Sequence, residues 1–267
     1  MAEKYEPSTY GERIADVYDD HPNMPETEGC VEFLAGVAGT RRVLELGIGT
    51  GRVAIPLAAR GLKVAGIDAS PAMVGKMRAK PGGDPIQVEI GNFADVKING
   101  RFSLIYIVFN TLFALESQEE QIRCFQRVAR HLSDDGVFVI EAFYPDHSYF
   151  ARGQRVGVSR IGLDSVFLET STHDKTGQRT KAAHVVISES GIKVYPIQIR
   201  YAYPPELDLM ARLGGMRLKA RYANWDRSPF GPNSEKHISV YELVPAAPEP
   251  APKAAKKTLN SHRVKGA

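Results

Sequence analysis

Apolar residues along this chain fall into short β-rich runs separated by stretches in which they recur at helical spacing. Arg42–Leu46 is the first such run, and it ends in Gly-Ile-Gly-Thr-Gly ahead of a helical stretch reaching about residue 60. A second buried strand is predicted over 62–67, closed by Asp68. Ser70-Pro71 then supplies an N-cap and a proline at the first helical position. Residues 86–90 and 102–108 predict a third and a fourth strand. The stretch 117–131 predicts a helix with acids early (Glu119, Glu120) and bases late (Arg127, Arg130, His131), which suits the helix dipole. Asp134-Asp135-Gly136 reads as a turn and 137–142 as a fifth strand. Strands separated by helices in this order predict a doubly wound, mostly parallel α/β sheet.

The pattern changes after Tyr144. The stretches 166–173, Arg179–Ser188 and 192–203 alternate in the β manner, with turns at 174–177 and 190–191, so three inserted antiparallel strands are expected. A helix over Pro204–Leu213 starts at two prolines and stops at two glycines. Met216–Tyr222 and 237–243 complete seven strands in the main sheet. These readings divide the chain into a helical N-terminal cap (1–39), a core (40–144 and 204–244), an inserted lid or dimerisation unit (145–203) and a tail (245–267). The tail alternates proline and alanine and then turns lysine-rich. It has little to bury and is expected to be disordered.

Composition narrows the classes. An apolar content of 43% is enough for a core, and a net charge of +3 is too small to argue for a nucleic-acid partner. The two cysteines, Cys30 and Cys124, stand far apart with no metal-ligand spacing, so neither a disulfide nor a metal site is expected. No apolar run approaches the roughly 18–20 residues of a membrane span, and the opening residues carry no apolar signal segment. The chain therefore reads as cytoplasmic, with no membrane partner.

The loop 45–51, Glu-Leu-Gly-Ile-Gly-Thr-Gly, joins a strand to a helix. Its glycines let a ligand approach the backbone closely. The Gly-x-Gly-x-Gly spacing is one residue shorter than the dinucleotide fingerprint, which seats a pyrophosphate on the helix N-terminus, and a tighter loop suits a ligand without phosphate. Asp68 ends the next strand, where an acid accepts ribose hydroxyls. Asn92 and Phe93 follow the third strand, where an amide and an aromatic ring suit the edge and face of adenine.

The stretches VLELGIGTGRVAIPLAARG, VAGIDASPAMVGKM and GNFADV resemble the first three motifs of class I, Rossmann-like S-adenosylmethionine-dependent methyltransferases. The stretch 102–143 resembles their fourth strand, helix and fifth strand. The resemblance implies S-adenosyl-L-methionine as cofactor. Glu45 lies within its first motif, and Gly47, Gly49 and Gly51 would line the methionine and ribose. Asp68 would hold the ribose, with Ala69 and Met73 near the adenine, Asn92 and Phe93 meeting it, and the Val108 backbone binding the methionine ammonium. Tyr10 and Tyr18 resemble tyrosines that cover the cofactor.

Methyl transfer needs chiefly proximity, orientation and exclusion of water, and a general base is optional. The acceptor should sit over the carboxyl ends of strands four and five. The residues there are Asn110, Thr111, Tyr144, Asp146 and His147. Asn110, Tyr144 and His147 are the candidate catalytic residues. His147 as a base stands beside its reading as a surface-loop histidine. Tyr18, Asn110, Tyr144 and Trp225 are expected around the transferred methyl. Strand four lacks the Asn-Pro-Pro-Tyr that similar enzymes use for planar amino groups, which argues against a nucleic-acid methylase. The expected acceptor is a small molecule or peptide, an amine of a natural product foremost, with O-methylation close behind. A catalytically silent cofactor-binding protein and a nicotinamide oxidoreductase are the other classes kept open, and a homodimer through the inserted strands is a further expectation.

Overall fold

The computed structural model describes residues 4–20, 27–39, 41–146, 148 and 150–245. Its main sheet has seven strands: β1 (Arg42–Leu46), β2 (Lys63–Asp68), β3 (Gln87–Ile90), β4 (Phe102–Ile107), β5 (Leu132–Phe143), β10 (Met216–Tyr222) and β11 (Lys236–Leu243). Their spatial order is β10-β11-β5-β4-β1-β2-β3. The strands from β3 to β5 run parallel, and β11 and β10 add antiparallel. The strand order reverses between β1 and β4, and a crevice opens there beyond the carboxyl ends.

Strand β4 shows how both faces become buried. Ile105 and Ile107 pack with Phe125, Phe138 and Tyr241 on one face, while Leu104 and Tyr106 pack with Leu34 and Leu57 on the other. Helices α5 (Gln118–His131) and α6 (Pro204–Leu213) cover the first face, and α2 (Glu28–Ala38) and α3 (Ala54–Ala59) the second. The helix starts follow the local chemistry. Ser70 accepts a hydrogen bond from the Met73 N–H at the head of α4 (Pro71–Arg78), with Pro71 at its first position. Ser117 caps α5: its hydroxyl accepts from the Glu120 N–H and donates to the Glu120 carboxylate.

The second sheet corrects the expected strand count. It has four antiparallel strands in sequential order: β6 (Gln154–Ile161), β7 (Ser165–Asp174), β8 (Arg179–Ser188) and β9 (Gly191–Arg200). The extra strand, β6, pairs with β7 at the sheet edge and buries almost nothing, with Val156 74% exposed. Pairing rather than burial defines it, so no core pattern marks it in the sequence. The expected turn 134–136 is also absorbed into β5. There the register jumps from Phe102↔Leu132 to Leu104↔Val137, and the intervening residues loop out.

Arg200, at the end of β9, ties the second sheet to the core. Its guanidinium donates to Gln121 of α5 (2.6 Å), Glu206 of α6 (2.6 Å) and Gln178 (3.3 Å). The N-terminal segment, with α1 (Thr9–Ile14), is fastened over the glycine loop 45–51. Glu12 accepts from Ser70 and Ala72, Asp16 pairs with Lys76, and Asp19 accepts from Thr50 and Lys80. His147 and residues 246–267 lie outside the described residues, and so do the expectations placed on them. Among the described residues, no helix is long and apolar enough to cross a membrane.

Candidate active site

A cavity of about 330 Å3 lies between the carboxyl ends of β1, β2 and β4, the N-terminal segment, and the inner side of the second sheet. That volume is in the range of small-molecule and cofactor sites. One end is polar and backbone-lined. Gly47 and Gly49 line it at φ +75° and +56°, values that side-chain-bearing residues rarely adopt. A Cβ on Gly47 would meet the Thr111 methyl at 2.4 Å, so the residue type also keeps the loop close to β4.

Asp68 stands at the centre of this end. One carboxylate oxygen accepts from the Gly49 N–H (2.7 Å) and the other from the Ser70 N–H (2.9 Å). Burial pushes its pKa up, against the lowering effect of these backbone N–H groups. A carboxylate has about four acceptor positions, so these N–H groups leave room for a ligand hydroxyl. Ala69, Met73 and Phe93 form an apolar flank beside it. A carboxylate for a ribose, an apolar flank for a base and bare backbone beside both fit S-adenosylmethionine.

The rest of the lining comes from Phe109, Asn110 and Thr111 after β4, Phe143 at the end of β5, Tyr5, Tyr10 and Tyr18, and His184 with Ile197 and Ile199 from the second sheet. Burial raises the Tyr10 hydroxyl and pushes Tyr18 up to about 12, so both stay protonated at neutral pH. The turn after β4 is tightly constrained. Phe109 and Asn110 both have positive φ, 54° and 66°. The buried Glu141 carboxylate accepts from the Phe109 N–H (3.0 Å) and from Lys236 (3.0 Å), and the Asn110 amide oxygen accepts from the Phe143 N–H (2.7 Å). Two adjacent left-handed residues persist only where surrounding bonds hold them, and such strain gathers at functional sites.

Of the residues singled out in the sequence, Tyr10, Tyr18, Gly47, Gly49, Asp68, Ala69, Met73, Phe93, Asn110 and Thr111 share this cavity. Others stand elsewhere. Glu45 is buried beneath the loop and accepts from the Tyr106 hydroxyl (2.9 Å), and burial pushes its carboxyl up to about 8. Gly51 packs the loop against α4, where a Cβ would meet Met77 at 2.5 Å. The Val108 carbonyl accepts from the Thr111 N–H, and Phe109 takes the place at the cavity wall. Asn92 bonds the Ala94 N–H and Glu120, and it lines a smaller adjoining recess.

The expected convergence of Tyr18, Asn110, Tyr144 and Trp225 does not occur. Strand alternation turns Phe143 inward against Phe113, so Tyr144 faces outward, 42% exposed, against Tyr203 and Phe230. Trp225 packs on Phe33 of α2, on the other face of the sheet (ring centroids 5.4 Å). Sequence reasoning missed Tyr5, Phe143, His184 and the residues of β9. Alternation along β8 and β9 was legible, but not which side of the second sheet turns toward β4.

The chain resembles known proteins along most of its length. A family described as methyltransferase domain matches residues 43–136. The CcbJ methyltransferase from Streptomyces caelestis is 41% identical and superposes with a TM-score of 0.85, over 90% of this chain and 100% of that one. Cypemycin N-terminal methyltransferase from a Streptomyces species is 27% identical over 241 residues, 89% of this chain and 98% of that protein. The amino pentose methyltransferase CalS10 from Micromonospora echinaspora, solved with S-adenosylmethionine bound, shares the fold at 17% identity with a TM-score of 0.65, over 91% of this chain and 100% of that one.

Proposed function

This chain belongs to the class I S-adenosylmethionine-dependent methyltransferases, and from that premise we propose that it methylates an amine nitrogen of a small molecule or peptide of the natural-product kind. The bound cofactor supplies a methyl on a positively charged sulfur, which an incoming lone pair takes as the carbon–sulfur bond breaks. The residues of the chain do the rest. The backbone at Gly47 and Gly49 admits the cofactor closely, and Asp68 accepts its ribose hydroxyls. Met73 and Phe93 flank its adenine. Tyr10 and Tyr18 close over the crevice and keep water out.

The observation that carries the amine reading is the wall facing the acceptor. It presents the rings of Tyr5, Tyr10, Tyr18, Phe109 and Phe143. Aromatic faces attract a cationic or partly charged nitrogen, by about 0.5–2 kcal/mol each where desolvated. The name of the cypemycin enzyme, which assigns it to an N-terminus, supports the same class of acceptor. Strained Phe109 and Asn110 would then fix the floor on which the acceptor rests.

The test is a panel of acceptors incubated with S-adenosylmethionine and read by mass spectrometry. Peptides with free N-termini and amino sugars should gain one methyl, and N-acetylated versions should not. Methylation confined to phenols or alcohols would replace the amine reading with O-methylation. Cofactor binding without turnover of any class would favour a silent binding protein.

A further inference from the structure

Glu141 is a buried acid that no step of methyl transfer uses. It stands near the carboxyl end of β5, 5% exposed, and does not line the cavity. One of its carboxylate oxygens accepts from the Phe109 N–H (3.0 Å) and the other from Lys236 at the start of β11 (3.0 Å). Its backbone carbonyl accepts from the Asn110 N–H (3.2 Å). Both N–H groups of the left-handed pair after β4 therefore end on this one residue. Asparagine visits the left-handed region more readily than most residues, because its short amide bonds locally, but phenylalanine does not. Phe109, at φ +54°, needs an outside partner to stay there, and a carboxylate is a stronger acceptor than a backbone carbonyl.

We propose that Glu141, paired with Lys236, is a positioning residue that holds Phe109 in the left-handed conformation setting its ring against the acceptor. The inference rests on the reading above that the acceptor meets this aromatic wall. An acceptor must approach the methyl carbon in line with the carbon–sulfur bond that breaks. A wall displaced by about an ångström therefore lowers the rate more than the affinity.

The surroundings of the pair agree with a holding role. Lys236 lies directly opposite Phe143 in the ladder between β5 and β11. Phe143 itself lines the cavity and donates its N–H to the Asn110 amide oxygen (2.7 Å). The carboxylate, its cation and two cavity rings are thus tied together at the ends of three strands. The Phe109 ring also meets the Arg52 guanidinium, 5.7 Å from the ring centroid, and Arg52 directly follows the glycine loop. Phe109 is held by its backbone from β5 and by its ring from the glycine-loop side. Burying a carboxylate is unfavourable unless a cation and hydrogen bonds offset it. Loss of Lys236 should therefore loosen the hold on Phe109, although Lys236 does not line the cavity.

Two measurements on the full chain test the proposal. In the first, hydrogen exchange of the Phe109 amide is followed by NMR in protein saturated with S-adenosylhomocysteine. Exchange should be about tenfold or more faster in Glu141→Gln and in Lys236→Met than in the wild type. Exchange unchanged in either variant overturns the pair. In the second, whichever acceptor of the panel above the wild type methylates is given to the same variants, well below their melting temperatures and per mole of folded protein. Their kcat should fall by about tenfold or more, with acceptor KM and S-adenosylhomocysteine affinity each within about threefold of the wild type. Lys236→Arg, which keeps a cation beside the carboxylate, should restore most of the rate. A kcat that holds while the melting temperature falls makes Glu141 a structural residue alone and overturns the proposal. A wild type that methylates nothing in the panel overturns the acceptor reading and this role together. Methylation of phenols or alcohols alone overturns the amine reading, and the same variants then test Glu141 with that acceptor.

Discussion

Asp68→Ala is expected to weaken binding of S-adenosylmethionine and S-adenosylhomocysteine by at least about a hundredfold. A hydrogen bond to a charged group contributes about 1.5–3 kcal/mol, and two ribose hydroxyls lose such a partner together. The substitution also frees the Gly49 and Ser70 N–H groups that the carboxylate holds at 2.7 and 2.9 Å. The glycine loop would then lose part of its shape before any ligand arrives, and a modest fall in melting temperature should accompany the loss of affinity. Asp68→Asn, which keeps one acceptor, should fall between the two. Calorimetric titration checks the series. A dissociation constant unchanged in Asp68→Ala would reduce this residue to a loop-pinning acid with no ligand to hold.

Arg200→Met is expected to cost about 3–5 kcal/mol of folding stability, the usual effect of removing one partner of a buried ion pair. Arg200 is only 6% exposed, and its guanidinium is shared among Gln121, Gln178 and Glu206. Without it the Glu206 carboxylate stays half-buried with only its amide donors, Gln118 and Gln178. Burial alone would raise the Glu206 pKa, but the hydrogen bonds from Gln178, Arg200 and Gln118 outweigh it and hold the carboxyl below its usual value. The sign of the pH effect follows. A carboxyl depressed in the folded state stabilises the fold above its unfolded pKa, about 4.3 for glutamate, and that contribution disappears as pH falls through the folded value. The gap between wild type and Arg200→Met in urea unfolding should therefore be full at pH 7 and shrink below about pH 4. A gap under about 1 kcal/mol at pH 7 would mean that the second sheet is held to the core by its apolar contacts alone.

The glycine-loop side of the cavity was legible because its signals are local. Glycines at spacing two, an acid closing the next strand and a Ser-Pro helix start all lie within 45–71, and backbone geometry alone brings them to one crevice. The parallel order of the sheet followed from the same alternation of strand and helix. The acceptor half depends on how separate units meet. Nothing near His184 in sequence says that its face of β8 turns toward β4. At the end of β5, one step of strand alternation decides that Phe143 enters the cavity and Tyr144 leaves it, and a pattern of consecutive aromatics does not reveal that phase. Glu45 looked like a ligand group because it opens the glycine motif. Its position inside β1 instead aims it at Tyr106 of the neighbouring strand. Strand β6 was invisible for a different reason, since an exposed edge strand carries no burial pattern to read.

A shortened glycine loop with Asp68 beside it should select a nucleoside ligand without a pyrophosphate. Isothermal titration of the full chain with S-adenosylhomocysteine, and separately with oxidised and reduced nicotinamide dinucleotides, tests it most directly. One site of micromolar-range affinity for S-adenosylhomocysteine, with no heat from either dinucleotide, is the predicted result; dinucleotide binding as tight as or tighter than that of S-adenosylhomocysteine would contradict the account.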